Sequence, residues 1–333
     1  MRKLRRAVLN PKYLMVYATV SIFLLVYLVG ALMYGDRGFT RLRTFLLLFI
    51  DNAYVGISAV GMTLVLISGG IDLSVGAVAS LTGMLIAYGN SVLGINPLVC
   101  ILFALVVGVG MGLTMGAMIH YLNVPPFIAT LTGMFLARGV CALISRDSIS
   151  ITNDMIDALA GWKITFIKKP PTYINLNVCL FLAMIVIGIV ILQKTRFGRN
   201  VYAIGGNEQS AKLMGLPVAR TKIMVYGFNG LCSVLAGITY VLYVKSGWNL
   251  ALMGAELDVI SSAVIGGVML TGGVGYMIGT LFGVMLKSII PALITFDGTL
   301  SSWWAKIAIG ALLLIFVGLQ QLVVISANRR KGK

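Results

Sequence analysis

Apolar runs of roughly 20 residues recur from one end of this 333-residue chain to the other, and nothing else in the sequence constrains its fold as much. A helix needs about 20 apolar residues to cross ~30 Å of hydrocarbon. Ten stretches reach or approach that length: 13–34, 44–67, 73–89, 97–121, 126–145, 174–193, 222–244, 257–272, 275–294 and 303–325. The chain is therefore expected to be an all-α polytopic membrane protein with about ten transmembrane helices, one domain over 1–333. The stretches 73–89 and 257–272 are the weakest, being short and interrupted by glycine. Each suits a broken or re-entrant segment, which a membrane tolerates only where protein or a cavity covers the backbone. The first run, about 22 residues long, exceeds the ~7–15 apolar residues of a signal peptide, so it reads as a retained helix.

Charge supplies the orientation. The chain carries 26 Lys and Arg against 10 Asp and Glu, a net +16. In a soluble chain such an excess suggests nucleic acid; in a chain with 59% hydrophobic residues it is the positive-inside bias of a membrane protein. Residues 1–12 hold five Lys or Arg, 194–222 hold six, and the tail (Arg329, Arg330, Lys331, Lys333) holds four. An even number of spans puts all three on one side, which should be the cytoplasm, with both termini there. The polar segment 146–173 then lies outside and 194–221 inside. The short loop 35–43 fits less well, being outside yet carrying Arg37, Arg41 and Arg43.

Little in the chain suggests bond-making chemistry. It has one histidine (His120), and its four cysteines (Cys100, Cys141, Cys179, Cys232) all sit in apolar runs without a CxxC, so no metal site is expected. Gly206–Leu213 imitates a phosphate loop but has Ala211 and Leu213 where that loop needs Gly and Ser or Thr. No cofactor and no enzymatic activity are expected of this chain.

Two polar interruptions carry the functional signal. Ser68-Gly69-Gly70-Ile71-Asp72-Leu73-Ser74-Val75-Gly76 separates two apolar runs, with Asp72 placed as a cap for the helix that follows. Asn52, Ser68, Asp72 and Ser74 are candidates to line a translocation path. A second stretch, Gly205-Gly206-Asn207-Glu208 through Ala211, Lys212 and Gly215, is punctuated as a helix of about seven residues. Asn207 is its N-cap, Glu208 sits in the first turn, Lys212 in the last, Gly215 just beyond, and Pro217 forbids continuation. So short a helix does not persist alone in water and must dock on something, a cytoplasmic partner or its own bundle. Gly69–Gly76 is weakly echoed at Gly266–Gly273, and the glycine triplets Gly108/Gly112/Gly116 and Gly275/Gly279/Gly283 suit close helix packing. Asp51, Arg138, Asp258 and Lys287 lie inside apolar runs, where either carboxylate can pair with either cation. Trp303 and Trp304 suit the outer interfacial belt.

At these residues the chain resembles a known family. SGGIDLSVGAV at 68–78, AIGGNEQSAKLMGL at 203–216 and ELDVISSAVIGGVMLTGGVG at 256–275 resemble, in that order, the permease subunits of bacterial ABC sugar importers of the ribose/xylose/galactose type. FDGTLSSWWAKIAIG at 296–310 resembles the permeases of galactofuranose importers. The resemblance implies a fold similar to the vitamin-B12 importer and a path formed by two permeases, here a related heterodimer. It also implies a separate ATPase subunit that binds ATP, and an extracytoplasmic protein that delivers the monosaccharide. It places Gly205, Gly206, Asn207, Glu208, Ala211, Lys212 and Gly215 in the segment that couples to the ATPase. The competing reading is a stand-alone secondary sugar transporter, which would need a coupling-ion site and leaves the short helix without a purpose.

Overall fold

The computed structural model describes residues 14–169 and 171–331, with side chains placed up to Gln321 in the last helix. The basic cluster at 2–12, Pro170 and Lys333 lie outside the described residues. The fold is a helical bundle: α1 (Leu14–Tyr34), α2 (Leu42–Ile50), α3 (Ala53–Ile67), α4 (Val75–Ser91), α5 (Pro97–Tyr121), α6 (Pro126–Ile144), α7 (Asp154–Gly161), α8 (Leu176–Lys194), α9 (Arg196–Gly206), α10 (Glu208–Leu213), α11 (Val218–Val244), α12 (Ala255–Ile265), α13 (Met277–Asp297) and α14 (Trp303–Lys331). Among the described residues seven of these are long and apolar enough to cross a membrane, and the bent pair α2–α3, counted as one span, brings the number to eight by length and composition. The chain is a multi-pass membrane protein.

Two of the ten expected spans, 44–67 and 257–272, are not continuous helices, whereas 73–89, expected to suit a broken or re-entrant segment, is one unbroken helix. The run 44–67 is bent by 55° between α2 and α3. The cause is polar: the Leu48 carbonyl accepts hydrogen bonds from Asn52 Nδ2 (3.3 Å) and Ser288 Oγ (2.8 Å), and Asn52 Nδ2 also donates to Ser288 Oγ (2.6 Å). α4 has 17 residues, about 26 Å of helix at ~1.5 Å per residue. The run 257–272 becomes an 11-residue helix, α12, that ends at Ile265 and gives way to non-helical chain before α13.

These breaks are confined to the middle of the molecule. Every residue of α3 except Tyr54 is buried, as are most residues of α4 and α11, whereas α1, α5, α6 and α14 expose long apolar faces. Lipid forbids unsatisfied backbone, so a broken helix survives only behind such a wall. The wall is drawn tight by missing side chains. A Cβ on Gly112 of α5 would collide with the Tyr226 carbonyl of α11, and one on Gly283 of α13 with the Ser262 carbonyl of α12. Gly108, Gly112 and Gly116 thus pack α5 on α11, and Gly279 and Gly283 pack α13 on the end of α12, while Gly275 lies before α13 against Ile67 and Val268; dispersion over close backbones replaces a hydrophobic drive that lipid does not supply.

The segment ends fall into two groups. Ile67–Gly70, Gly205–Gly206 and Gly272–Gly273 touch one another at one end. At the other, Ser91 Oγ donates to the Ser150 carbonyl (2.8 Å), Lys245 pairs with Asp157 (2.5 Å), and Arg37 donates to the Phe296 carbonyl (2.9 Å). The 146–173 segment carries α7, the hairpin β2 (Lys163–Ile167) and β3 (Thr172–Asn175), and β1 (Ile149–Ser150), which pairs with β4 (Ser246–Gly247) in the connection after α11.

The two echoed segments end their helices with the same backbone turn, one that also follows α10. After α3, Ser68, Gly69 and Gly70 donate to the carbonyls of Leu64, Leu66 and Val65; after α12, Gly266, Gly267 and Val268 donate to Ser262, Val264 and Ala263. The two glycines with positive φ, Gly69 (83°) and Gly267 (88°), are therefore equivalent. That register is one residue off the alignment that matches Gly69-Gly70 to Gly266-Gly267.

Candidate functional site

α10 is built as its punctuation predicts. Asn207 closes α9 and opens α10, its Oδ1 accepting from the Ser210 amide at 2.7 Å. At the far end Gly215 takes φ 75°; its amide donates to Lys212 (3.0 Å) and that of Leu216 to Ala211 (3.1 Å), the reverse turn that glycine permits after a helix. Glu208 Oε2 meets Lys222 Nζ at 2.6 Å, tying α10 to the first turns of α11. Ala211 is fully buried against Ile204 and Val218. The opposite face carries Lys212, Leu213 and Met214, the last two 89% and 67% exposed. Neither of these two side chains is buried against the bundle.

α9 was not anticipated from the sequence. Its signal was legible: Thr195 caps it by accepting from the Gly198 amide (3.1 Å), and Gly198, Val201 and Ile204 recur every third residue on its buried side. Its last turn reaches the bundle through Gly205. A Cβ there would run into the Ile67 carbonyl and stand 2.7 Å from the Gly273 amide nitrogen, and Gly273 itself donates to Ile67 at 2.8 Å. Three glycine pairs far apart in sequence, 69–70, 205–206 and 272–273, thus form one backbone-to-backbone knot. Gly206 lies on its open side, with nothing near its missing Cβ.

Directly behind the knot lies Asp72, 1% exposed. Its Oδ1 accepts from the Ser74 amide (2.8 Å) and the Ser74 hydroxyl (2.6 Å), and its Oδ2 from Asn229 Nδ2 (2.7 Å). A buried carboxyl is tolerable when hydrogen-bonded in this way. Asn229, one of the polar residues in the 222–244 run, is the partner that reading by stretches overlooked. Ser68 donates to Val65 (2.7 Å) and lines a cavity of about 290 Å³ together with Gly205, Asn207, Glu208, Lys222 and Tyr226. The structure therefore brings Ser68 together with the start of the 205–215 stretch, while Asp72 and Ser74 are bonded to each other and, through Asp72, to Asn229. It leaves Asn52 apart, at the α2–α3 break beside Ser288. Of the four possible intramembrane pairs, Asp258–Lys287 forms (3.0 Å). Arg138 donates instead to the Asn249 and Ala251 carbonyls (2.9 and 2.6 Å), and Asp51 accepts from Tyr243 (3.2 Å).

A family described as "branched-chain amino acid transport system / permease component" matches residues 44–317. The inner membrane ABC transporter permease protein YjfF of Escherichia coli (strain K12) is 46% identical over 317 residues, 94% of each chain. The fructose import permease protein FruG of Bifidobacterium longum (strain NCC 2705) is 39% identical over 94% of this chain and 92% of its own. The ribose import permease protein RbsC of Escherichia coli (strain K12) is 39% identical over 78% of this chain and 80% of its own. No solved structure matches the chain. A broken-helix membrane bundle, a braced surface helix wired to its centre, and likeness to permeases over nearly the whole length lead to one conclusion: this chain belongs to the ABC transporter permease family and is a transport subunit, not an enzyme.

Proposed function

We propose that the chain is the membrane subunit of an ATP-driven bacterial importer for a monosaccharide, with galactofuranose as its substrate. One observation carries the mechanism: α10 exposes Leu213 and Met214 on one side and is locked on the other, through Gly205, to the backbone of Ile67 and Gly273. An ATPase subunit seated on α10 would move α9, and α9 cannot shift without displacing the ends of the broken helices α3 and α12. ATP is bound and hydrolysed by that partner, and this chain needs no cofactor. Ser68 shapes the inner end of the path directly, while Asp72 and Ser74, and Asn52 at the other end, hold the broken segments that wall it. The α10 end faces the cytoplasm, with both termini on that side of the inner membrane. Adding α4 and α12 with its following loop to the eight crossings makes ten, as in a vitamin-B12-type importer.

The substrate class rests on the relatives. The family description names branched-chain amino acids, but full-length relatives are named for fructose and ribose import. The 296–310 stretch supports galactofuranose and, with it, pairing with a distinct second permease and delivery by an extracytoplasmic binding protein. The test is purification from native membranes in mild detergent with mass spectrometry of what accompanies the chain. A stoichiometric ATPase and a second permease are expected, the ATPase being lost when 208–213 is replaced by a Gly/Ser linker. A chain that purifies alone would overturn the proposal.

A further inference from the structure

The cavity of about 290 Å³ beside the knot contains a polar group that the fold leaves unpaired. Tyr226, on α11, is 2% exposed and lines that cavity. Among the described residues its Oη makes no hydrogen bond; the Ile71 amide stands near it but outside bonding geometry. The hydroxyl rests against Gly70, where a Cβ would collide with it. A buried hydroxyl without a partner is a net cost to folding, and native proteins keep few of them. One that lines a polar cavity is placed to bond whatever enters it.

The rest of the wall is mixed in kind. Ser68 and Thr271 bring hydroxyls, Asn207 an amide, and Glu208 and Lys222 a carboxylate and an ammonium already paired at 2.6 Å. The Ser68 hydroxyl donates to the Val65 carbonyl, which leaves its lone pairs to accept. Asn207 uses Oδ1 on the Ser210 amide, which leaves its Nδ2 protons to donate. The lining therefore offers donors and acceptors without net charge, and its one cation is paired, so a phosphate finds no free partner. A neutral polyhydroxylated molecule, whose hydroxyls both give and take hydrogen bonds, suits it. The volume is near the lower end of ligand pockets, about 300–1,000 Å³, which fits a monosaccharide rather than a longer chain.

We infer that this cavity is an inner product site: released monosaccharide occupies it from the cytoplasm, bonds Tyr226 Oη, and holds back the next transport cycle. Its walls come from the end of α3, the α9–α10 junction, α11 and the loop after α12. These are the parts that an ATPase moving α10 would displace against one another. A solute bound across them favours the arrangement that forms the cavity over the displaced one. The cavity lies at the Asn207–Glu208 end of α10, and Leu213 and Met214 at the other, so solute and ATPase use different ends of one helix. The inference rests on the importer reading above, with α10 in the cytoplasm, and adds to it how the product acts on the cycle.

The test uses the complete complex in proteoliposomes with ATP enclosed, which selects the molecules whose α10 end faces inside. Labelled galactofuranose, ribose, fructose and leucine are supplied outside with the binding protein. Uptake of leucine alone, or of none of the four, would overturn the sugar-importer reading and the site with it. For a sugar that is taken up, enclosing the same sugar unlabelled is expected to slow the initial rate at least fivefold, and saturably. The internal concentration that halves the rate should rise at least fivefold in Tyr226→Phe, which removes the unpaired hydroxyl and keeps the ring. Because that hydroxyl has no partner in the protein, its loss should not lower the unfolding temperature. Inhibition absent from the unaltered complex, or unchanged in Tyr226→Phe, would overturn the site alone and leave the hydroxyl to ordered water. Against a Tyr226→Phe complex that fails to assemble, Thr271→Cys, at an exposed position of the wall, is labelled with a thiol reagent in nanodiscs. The transported sugar at saturation should slow labelling at least fivefold, and an unchanged rate would contradict the inference.

Discussion

Gly205 and Gly206 are neighbours in sequence with opposite demands. A Cβ at 205 would meet backbone on two sides, the Ile67 carbonyl and the Gly273 amide, and backbone cannot swing away. Gly205→Ala should therefore destabilise the protein by about 3 kcal/mol or more, at the upper end of overpacking costs. Gly206→Ala meets nothing and should be neutral or gain up to about 1 kcal/mol. Thermal unfolding of both variants in detergent separates them. The sequence shows the Gly-Gly pair but not which member is locked, because the locking atoms come from positions 67 and 273. Asp72 is similar: the N-cap of α4 is Ser74 and not Asp72 as its placement suggested, since Asp72 accepts from the Ser74 amide two residues on, a local bond, while its bond to Asn229 spans 157 residues. Asn229→Asp would set two carboxylates face to face and should cost several kcal/mol, as buried like charges do. The exchange Asp72→Asn with Asn229→Asp restores one donor and one acceptor at that contact and should recover most of the loss. Equal damage from the single and the double variant would refute the pairing.

Element boundaries were legible where the signals are local. α10 was expected from Asn207, Gly215 and Pro217, and it lies within one residue or so of that expectation. The 55° break inside 44–67 was not, because what stabilises it is Ser288 on α13, contributed from another part of the chain. α10 also makes a prediction about partition between fold and partner. Leu213→Asp with Met214→Asp alters side chains that are 89% and 67% exposed, so it should shift stability by less than about 0.5 kcal/mol. It should nonetheless abolish retention of the ATPase on purification. Glu208→Gln removes only a surface-side ion pair, worth about 0–1 kcal/mol, and should leave the complex folded and assembled. If the Leu213/Met214 variant unfolds, α10 is a packing element and the docking account is wrong.

At the scale of the molecule, the apolar runs announced a membrane bundle and the glycine triplets announced close packing, because both follow from the length and texture of the sequence. The division between a central set of broken helices and an outer apolar wall did not show. It depends on which faces meet, and α3 and α5 have similar composition but opposite burial. That division puts the ends of the broken helices α3 and α12 beside the knot at 69–70, 205–206 and 272–273. On the proposed function, force enters at α10 and reaches the broken helices through that knot, so that transport is driven from outside the chain. The most direct measurement is sugar uptake into proteoliposomes holding the permease with and without its ATPase subunit and ATP. Uptake should require both and vanish with Leu213→Asp/Met214→Asp. Uptake by the permease alone, at a rate that neither ATP nor the α10 substitutions change, would contradict the claim and make the chain a facilitator.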